Sequence, residues 1–310
     1  MNFVYKVQGR GKAMIVEKAR AKVNLSLDIT GKRPNGYHEV KMIMQTISLC
    51  DDLEFEKGEE GSGVILSTDN EFLNSEQSAG SDNLITKAIR KLSEKTGKSF
   101  DVKITLTKRI PLAAGLAGGS SDAAAALRGV NRLFELKLSN EELCEVAVSI
   151  GADVPFCVEG GLCLCEGIGE KLTRLNRLPS FPTVICKPPV FVSTKEVYEE
   201  YDALSEPYRP DVDEMTDAIK AYDGEKVAKL LGNTLEEVTG KKYPVISEIE
   251  EKLKEAGAVN AVMSGSGPTV FGMFNSMKEA DAAAELLKEH FPGFEIFSTK
   301  FDNEKQAHFE

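Results

Sequence analysis

Hydrophobic and polar residues alternate near the start of the chain, and this alternation predicts a β-strand. Between residues 19 and 28, apolar side chains such as Val23 and Leu25 fall on one face, whereas Lys22 and Asn24 fall on the other. A period of two is typical of a strand that buries one of its faces. Lys22 and Asn24 would then lie on the wet face, unless a site is built there.

The rest of the chain mixes the strand period of two with the helical period of about 3.6, without a regular repeat. Further strands are predicted at residues 40–49, 53–55, 102–106, 161–165, 183–186, 259–263, 269–274 and 294–298. Helical spacing predicts helices at residues 82–92, after a glycine-rich segment, from Ser139, between 195 and 256, and from Ser276 to about 290. Ser139 and Ser276 each precede a glutamate by three residues, which is a capping box. This order of elements favours a mixed α+β fold over a repeating βαβ sheet.

The length and a change of character near residue 175 favour two domains, at residues 14–175 and 176–310. Residues 1–13 show no periodicity, and Met14 is followed at once by the strand pattern. We therefore interpret the first 13 residues as an extension or as an upstream initiation artefact.

Composition narrows the class of protein. The 310 residues carry a formal net charge of −11, and no long Lys/Arg cluster occurs, which disfavours nucleic-acid binding. The six cysteines form no CxxC pair and are expected to be reduced and mostly buried. The N-terminus lacks the apolar core of a signal peptide, and no run of about 18 apolar residues predicts a membrane span. A cytoplasmic location is the expectation.

The strongest chemical signal is a glycine-rich segment directly before a predicted helix. Glycines leave no Cβ between the backbone amides and a ligand, and the first turn of a helix attracts anions. A serine there can cap the helix or bind a phosphate. The spacing is neither a Walker A nor a Rossmann fingerprint, and a plain helix-capping loop stays open. The candidate nucleotide-binding residues are Pro111, Leu112, Ala113, Ala114, Gly115, Leu116, Ala117, Gly118, Gly119, Ser120 and Ser121.

Four shorter segments could carry chemistry, and each has an ordinary structural explanation. Asp153 lies in an apolar stretch and could simply make a turn. The Tyr37–His38 pair follows a turn signal, although a lone histidine is usually a surface or core residue. Lys22 with Asn24 could be solvated. The segment 264–268 could be a tight hairpin or a second anion cradle.

Taken together, these segments resemble the GHMP kinase superfamily. Five motifs match in order: Ala21 to Leu25 (A-K-x-N-L), Arg33 to His38, Gly115 to Ala124 (G-L-x-G-G-S-S-D-A-A), Gly151 to Phe156 (G-A-D-V-P-F) and Met263 to Gly267. They span about four-fifths of the chain. The resemblance is to the branch that phosphorylates the 2-hydroxyl of a cytidine diphosphate methylerythritol in the non-mevalonate isoprenoid pathway.

The resemblance implies a fold, a set of ligands and roles for single residues. It implies an N-terminal domain like domain 2 of ribosomal protein S5 and a ferredoxin-like C-terminal domain, with ATP and Mg²⁺ in the cleft between them. Asp153 resembles the catalytic base, and Lys22 resembles its partner. A monomer or weak homodimer with a small-molecule substrate is expected. The residues implied to contact that substrate are Asn24, Tyr37, His38, Lys108 and Tyr198.

Two alternatives remain open at this point. A mevalonate-type or homoserine kinase would share the fold, but the Tyr37–His38 pair and the doubled glycine argue against it. A non-catalytic nucleotide-binding protein would also share the fold. The presence of both Lys22 and Asp153 argues against that second alternative.

Overall fold

The computed structural model describes residues 14–74 and 83–303, which form two β-sheets with helices packed against them. The predicted extension at residues 1–13 and the predicted helix start at Asp82 lie outside the described residues. The mixed α+β class is confirmed. The division at residue 175 stays a prediction, although the chain does leave the first sheet after residue 174 and enter the second at residue 182.

The first strands are longer than the sequence pattern predicts, since residues 40–49 and 53–55 belong to one strand, and the strand at residues 64–68 is not predicted by the pattern. The strands are β1 Met14–Lys32, β2 His38–Lys57, β3 Val64–Thr68, β4 Val102–Thr107, β5 Leu162–Gly167, β6 Lys171–Arg174, β7 Pro182–Lys187, β8 Gly232–Asn233, β9 Asn260–Met263, β10 Val270–Met273 and β11 Glu295–Lys300.

The helices include a short one, α5, that the sequence pattern does not reveal. They are α1 Glu71–Asn74, α2 Leu84–Thr96, α3 Gly118–Leu133, α4 Asn140–Val148, α5 Val154–Glu159, α6 Thr194–Tyr201, α7 Val212–Lys220, α8 Gly224–Lys229, α9 Glu236–Lys242, α10 Val245–Glu255 and α11 Met277–His290. Ser139 caps α4 in a complete capping box, as predicted, and the Ser276 hydroxyl accepts a hydrogen bond from the Glu279 N–H at the start of α11.

The two sheets meet where residues 47–49 of β2 lie against β11 and Phe301. The first sheet has the order β3-β4-β2-β1-β8, with β5 paired to β2 and β6 to β5. The second sheet is antiparallel, in the order β11-β7-β10-β9. β8 returns from the C-terminal part of the chain to pair in parallel with Ser26 and Leu27 of β1. β8 thus holds the segment 264–268 next to β1: its Asn233 amide donates to the Met263 and Gly265 carbonyls, and Ser264 Oγ accepts the Asn24 N–H.

The prediction that β1 buries only one face is wrong. Lys22 and Asn24 are 4% and 1% exposed, as buried as Val23 and Leu25 on the opposite face. Their polar groups are satisfied by each other and by two glycine-containing loops, which is the condition for burying them without a large penalty. A polar face that is buried and hydrogen-bonded indicates that this part of β1 belongs to a functional site.

The cysteines and the hydrophobic helices behave as the sequence indicates. All six cysteines are free thiols; Cys144 is partly exposed and the others are buried. Burial raises the pKa of the Cys163 thiol to about 12, so this thiol stays protonated. Within residues 14–74 and 83–303, no helix is both long and apolar enough to cross a membrane.

Candidate active site

A cavity of about 1040 Å³ lies between the N-terminal and C-terminal parts of the fold. Its walls come from β1, the turn before β2, the glycine-rich segment, the start of α5, and α6. Every residue predicted to be catalytic, to bind the nucleotide or to contact the substrate lines this cavity, except Leu116 and Ser121. Leu116 packs in the core, where its carbonyl accepts the Lys22 N–H, and the Ser121 hydroxyl donates to the Arg20 carbonyl.

The candidate catalytic pair lies in the middle of the cavity. The Lys22 Nζ is 3.8 Å from Asp153 Oδ2. The same ammonium donates to Asn24 Oδ1 at 2.7 Å and to the Gly115 carbonyl at 2.9 Å. The Lys22 side chain is 5% exposed and that of Asp153 is 31% exposed. The lysine is therefore held from behind, while the carboxylate is open to a ligand in the cavity.

Asp153 owes its availability to the way α5 begins. Asp153 is the N-cap residue of α5, but its backbone is already helical (φ −84°, ψ −12°) and its side chain makes no capping bond. Pro155, which follows inside the first turn, needs no amide partner there. Asp153 does lie in a turn, as its ordinary structural explanation predicts, and this turn leads directly into α5. The helix does not use the carboxylate, which therefore faces Lys22 and the cavity.

The glycine-rich segment forms a loop at residues 111–117 that leads into α3. We call residues 111–120, which comprise this loop and the first residues of α3, the phosphate loop. The expectation that a serine caps α3 is wrong, because the helix begins at Gly118 and its N-cap is Ala117. Ala117 is left-handed (φ 56°) and offers no side-chain capping bond. The amides of the first turn of this 16-residue helix are therefore available to an anion at its positive end.

The glycines of the phosphate loop serve packing as well as ligand access. Gly115 has φ +72°, and a Cβ there would overlap the Ser264 carbonyl. At Gly118 a Cβ would meet Ile110 Cγ2 at 3.0 Å and Lys108 Nζ at 3.2 Å. A side chain at Gly118 would therefore push the start of α3 away from Ile110 and Lys108.

The segment 264–268 packs against the phosphate loop, so the sequence hypothesis of a second glycine loop near the ligand has structural support. Ser264 Oγ donates to the Gly115 carbonyl at 3.1 Å and accepts from the Asn24 N–H at 3.3 Å. The Asn233 amide donates to the Gly265 carbonyl at 2.7 Å. Gly115 O thus accepts from both Lys22 and Ser264, which joins the two loops at the catalytic lysine.

Aromatic and charged side chains form the other end of the cavity. The rings of His38 and Tyr198 lie 4.8 Å apart at 37°, and Tyr37 is 59% exposed beside them. His38 Nε2 is 2.7 Å from Asp202 Oδ1, and Lys32 Nζ is 2.5 Å from Asp202 Oδ2. Hydrogen bonds from His38 and then Lys32 lower the pKa of Asp202.

Asp202 is a site residue that sequence reasoning missed. It follows α6 directly and lies four residues after Tyr198, so one helical turn places both side chains on the same face. That spacing is the signal that could have found it. A carboxylate on Nε2 fixes which nitrogen of His38 carries a proton and which edge the ring presents to the cavity.

Lys108 also lines the cavity, but unlike His38 and Tyr198 it lies among buried carboxylates. Its ammonium lies beneath the phosphate loop, 2.5 Å from Asp51 Oδ2 and 2.7 Å from Asp122 Oδ2, and its side chain is 3% exposed. A substrate contact by Lys108 stays a prediction, and its ammonium is already paired with two carboxylates.

Comparison with known proteins agrees with this geometry. The family model of the GHMP kinases N terminal domain matches residues 83–161, which include the phosphate loop and Asp153, and that of the GHMP kinases C terminal domain matches residues 215–293. The cavity, the loop at the start of α3 and the matched segments define a small-molecule kinase: the chain belongs to the GHMP kinase family.

Two similar curated proteins carry the same name. A 4-diphosphocytidyl-2-C-methyl-D-erythritol kinase of Lachnospira eligens is 46% identical over 91% of this chain and 96% of its own length. One of Bacillus pumilus is 49% identical over 94% of this chain and 99% of its own length.

Solved structures of several kinases resemble the chain. A 4-(cytidine 5'-diphospho)-2C-methyl-D-erythritol kinase superposes with a TM-score of 0.76 and 30% identity, over 93% of this chain and 100% of that one. A homoserine kinase from Cytophaga hutchinsonii has a TM-score of 0.74 over 98% of each chain, but only 19% identity, and so shares the fold alone.

Proposed function

We propose that this protein transfers the γ-phosphoryl group of ATP to the 2-hydroxyl of 4-diphosphocytidyl-2-C-methyl-D-erythritol, giving the 2-phosphate and ADP in the non-mevalonate isoprenoid pathway. The observation that carries the proposal is the content of one cavity. It holds the Lys22–Asp153 pair, the helix-terminal phosphate loop and the His38–Tyr198 aromatic wall. The names of the similar proteins support the same substrate.

The arrangement gives each ligand its own part of the cavity. The triphosphate of ATP lies along the phosphate loop, where free amides and the α3 dipole favour negative charge. The cytidine end of the acceptor lies by His38 and Tyr198, where aromatic rings can stack on a base. The 2-hydroxyl then points toward Asp153, between these two ends.

Asp153 accepts the proton of the 2-hydroxyl as the phosphoryl group transfers. The Lys22 ammonium, 3.8 Å away, favours the ionised carboxylate and keeps it oriented. A general base contributes roughly 10²–10⁴-fold to the rate. Positioning contributes an effective molarity of roughly 10⁵–10⁸ M. Since a tertiary alcohol is a hindered nucleophile, alignment by the two ends of the cavity carries the larger share.

Mg²⁺ fits this site as a companion of ATP. The described parts of the chain contain no group of three or more His, Cys, Asp or Glu side chains that could hold a metal. Mg²⁺ in such enzymes keeps several waters and is bound by phosphate oxygens with one or two carboxylates. Asp153 lines the same cavity as the phosphate loop and is the carboxylate that would be available to the ion. When bound, the ion neutralises charge on the transferred group.

A panel of acceptors tests the proposal. The purified protein is incubated with Mg-ATP and either the cytidine diphosphate methylerythritol, mevalonate, homoserine or galactose, and ADP release is followed. We expect turnover with the first acceptor alone. Turnover of another acceptor would replace the proposal with that of a related kinase, and nucleotide binding without any turnover would favour a non-catalytic protein. The expected cytoplasmic location and the monomer or weak homodimer stay predictions.

A further inference from the structure

Three charged side chains are buried together beneath the phosphate loop, outside the catalytic pair. Asp51, Lys108 and Asp122 have side chains that are 0%, 3% and 6% exposed. The Lys108 ammonium donates to both carboxylates, at 2.5 Å and 2.7 Å. Burial by itself lowers the pKa of Lys108, but the two carboxylates outweigh that effect and raise it, so the ammonium keeps its charge.

Asp51 also holds the backbone that enters the phosphate loop. Its Oδ1 accepts the N–H groups of Arg109 at 2.5 Å and of Ile110 at 2.8 Å. The next residue along the chain is Pro111, where the loop begins. One buried carboxylate on β2 therefore fixes three successive residues, through the side chain of Lys108 and two amides.

The same unit holds the far end of the loop. Asp122 lies in the second turn of α3, and its bond to Lys108 ties that helix to the residues before Pro111. The path from Asp51 through Lys108 to Asp122 thus closes a bridge across the two ends of the phosphate loop. The place that a Cβ on Gly118 would take is 3.2 Å from Lys108 Nζ, so the ammonium directly supports the first turn of the helix.

We propose that Asp51 is a positioning residue for ATP: together with Lys108 and Asp122 it sets the spacing between the two ends of the phosphate loop and thereby the affinity for the nucleotide. This inference rests on the proposed binding of ATP by that loop. Asp51 itself does not line the cavity, so it acts on the ligand only through the backbone that it holds.

Two substitutions of Asp51 separate charge from hydrogen bonding. Asp51→Asn keeps an oxygen for the amides of Arg109 and Ile110 but weakens the pairing with Lys108, whereas Asp51→Ala removes both. We expect the KM for ATP to rise about tenfold in Asp51→Asn and more in Asp51→Ala, because each loses charge-assisted hydrogen bonds. The kcat and the KM for the acceptor should stay within about twofold of wild type.

A second pair of variants covers the case in which the Asp51 variants do not fold, since removing one partner of a buried ion pair is strongly destabilising. Asp122→Ala removes only the tie to α3 and should raise the KM for ATP. Asp122→Asn keeps an oxygen for Lys108 and should stay close to wild type. Burial raises the pKa of Asp122 to about 7, which makes a neutral side chain well tolerated there.

Glu17 provides the matched control. It is a buried carboxylate on β1 that pairs with Arg128 and Arg132, at the other end of α3. Glu17→Gln should lower the free energy of unfolding, as the Asp51 variants do, but leave the KM for ATP unchanged. This control separates an effect on the loop from a general loss of stability.

Calorimetric binding of Mg-ADP to each variant gives a readout that needs no acceptor. A rise of the dissociation constant in parallel with the KM for ATP supports the proposal, even if the wild type phosphorylates a different acceptor. Wild-type affinity in Asp51→Ala or Asp122→Ala would overturn it. An equal loss of affinity in Glu17→Gln, or failure of the wild type to bind nucleotide, would overturn it as well.

Discussion

The Lys22 ammonium is fixed on two oxygens, Asn24 Oδ1 and the Gly115 carbonyl, and lies 3.8 Å from the Asp153 carboxylate. An ammonium has three hydrogens, and two of them are taken by these acceptors. The third remains for Asp153 or for a phosphate oxygen of ATP. Lys22 therefore acts as a fixed charge, whereas Asp153 is the exposed partner that can meet a hydroxyl.

Asp153→Asn should lower kcat by about 10²–10⁴-fold, because the amide cannot accept the proton of the acceptor. The KM for the acceptor should change little, since the base contacts only the reacting hydroxyl. Steady-state kinetics with both substrates varied measures the two effects. Weak acceptor binding together with unchanged turnover of the bound complex would contradict the role of Asp153 as the base.

Gly115→Ala should raise the KM for ATP and destabilise the protein. The residue needs φ +72°, and a Cβ would overlap the Ser264 carbonyl, so the two glycine loops would move apart. Gly61 is the matched control, because it has φ +80° but nothing within 4 Å of the Cβ position. Gly61→Ala carries the same strain, about 1 kcal/mol, without the overlap. Equal KM values for ATP in the two variants would argue against the contact between the loops.

His38→Ala should reduce the preference for a cytidine acceptor over its uridine analogue, because the ring presents a polar edge beside Tyr198. Asp202→Asn should reduce the same preference, by about tenfold or less, since the amide no longer fixes the proton on His38 Nε2. The ratio of kcat/KM for the two acceptors is the measurement. An unchanged ratio in His38→Ala would remove His38 from base selection.

The stability of the protein should fall as the pH rises, because of a partly buried pair of glutamates, Glu236 and Glu250, near the 264–268 segment. Glu236 Oε2 accepts the Met263 N–H at 2.6 Å and shares a hydrogen bond with Glu250. Burial, and then the neighbouring Glu236, raise the pKa of Glu250 from 4.5 to about 9, with Lys254 opposing and Glu251 adding to the shift.

The sign of the effect follows from proton binding. Between pH 4.5 and about 9 the folded protein keeps a proton that the unfolded chain releases, so the free energy of unfolding decreases across this range. Glu250→Gln should flatten that decrease, while Glu60→Gln, at an exposed position, should not. Urea unfolding at pH 5 and pH 8.5 measures the change in the free energy of unfolding. If the free energy of unfolding of Glu250→Gln decreased with pH as steeply as that of the wild type, the raised pKa of Glu250 would be contradicted.

Local sequence patterns predicted helix starts and loops well where a short-range rule, such as helix capping, determines the structure. The capping box at Ser139 and the glycines before α3 were found because their signals lie within a few residues. The burial of Lys22 and Asn24 was missed because it depends on β8 and the 264–268 loop, more than 200 residues away in sequence.

Long-range pairing also explains the site residues that were not found. Asp51 is separated from Lys108 by 57 residues, and Asp202 from His38 by 164. Nothing near Asp51 distinguishes it from an ordinary surface acid, and only its spacing from Tyr198 points to Asp202. In both cases the folded chain brings the aspartate to its partner. The resemblance pointed to residues that line the cavity, but not to Asp51 and Asp202, which pair with Lys108 and His38.

The position of the new phosphate on the product tests the central claim most directly. The 2-carbon of the acceptor carries a methyl group and no hydrogen, so a phosphate on its oxygen has no proton three bonds away. Proton-coupled ³¹P NMR of the reaction with Mg-ATP should therefore show a new phosphomonoester singlet that grows with the ADP signals. A phosphomonoester signal split by neighbouring protons, or ADP formation without a new phosphomonoester, would contradict the account.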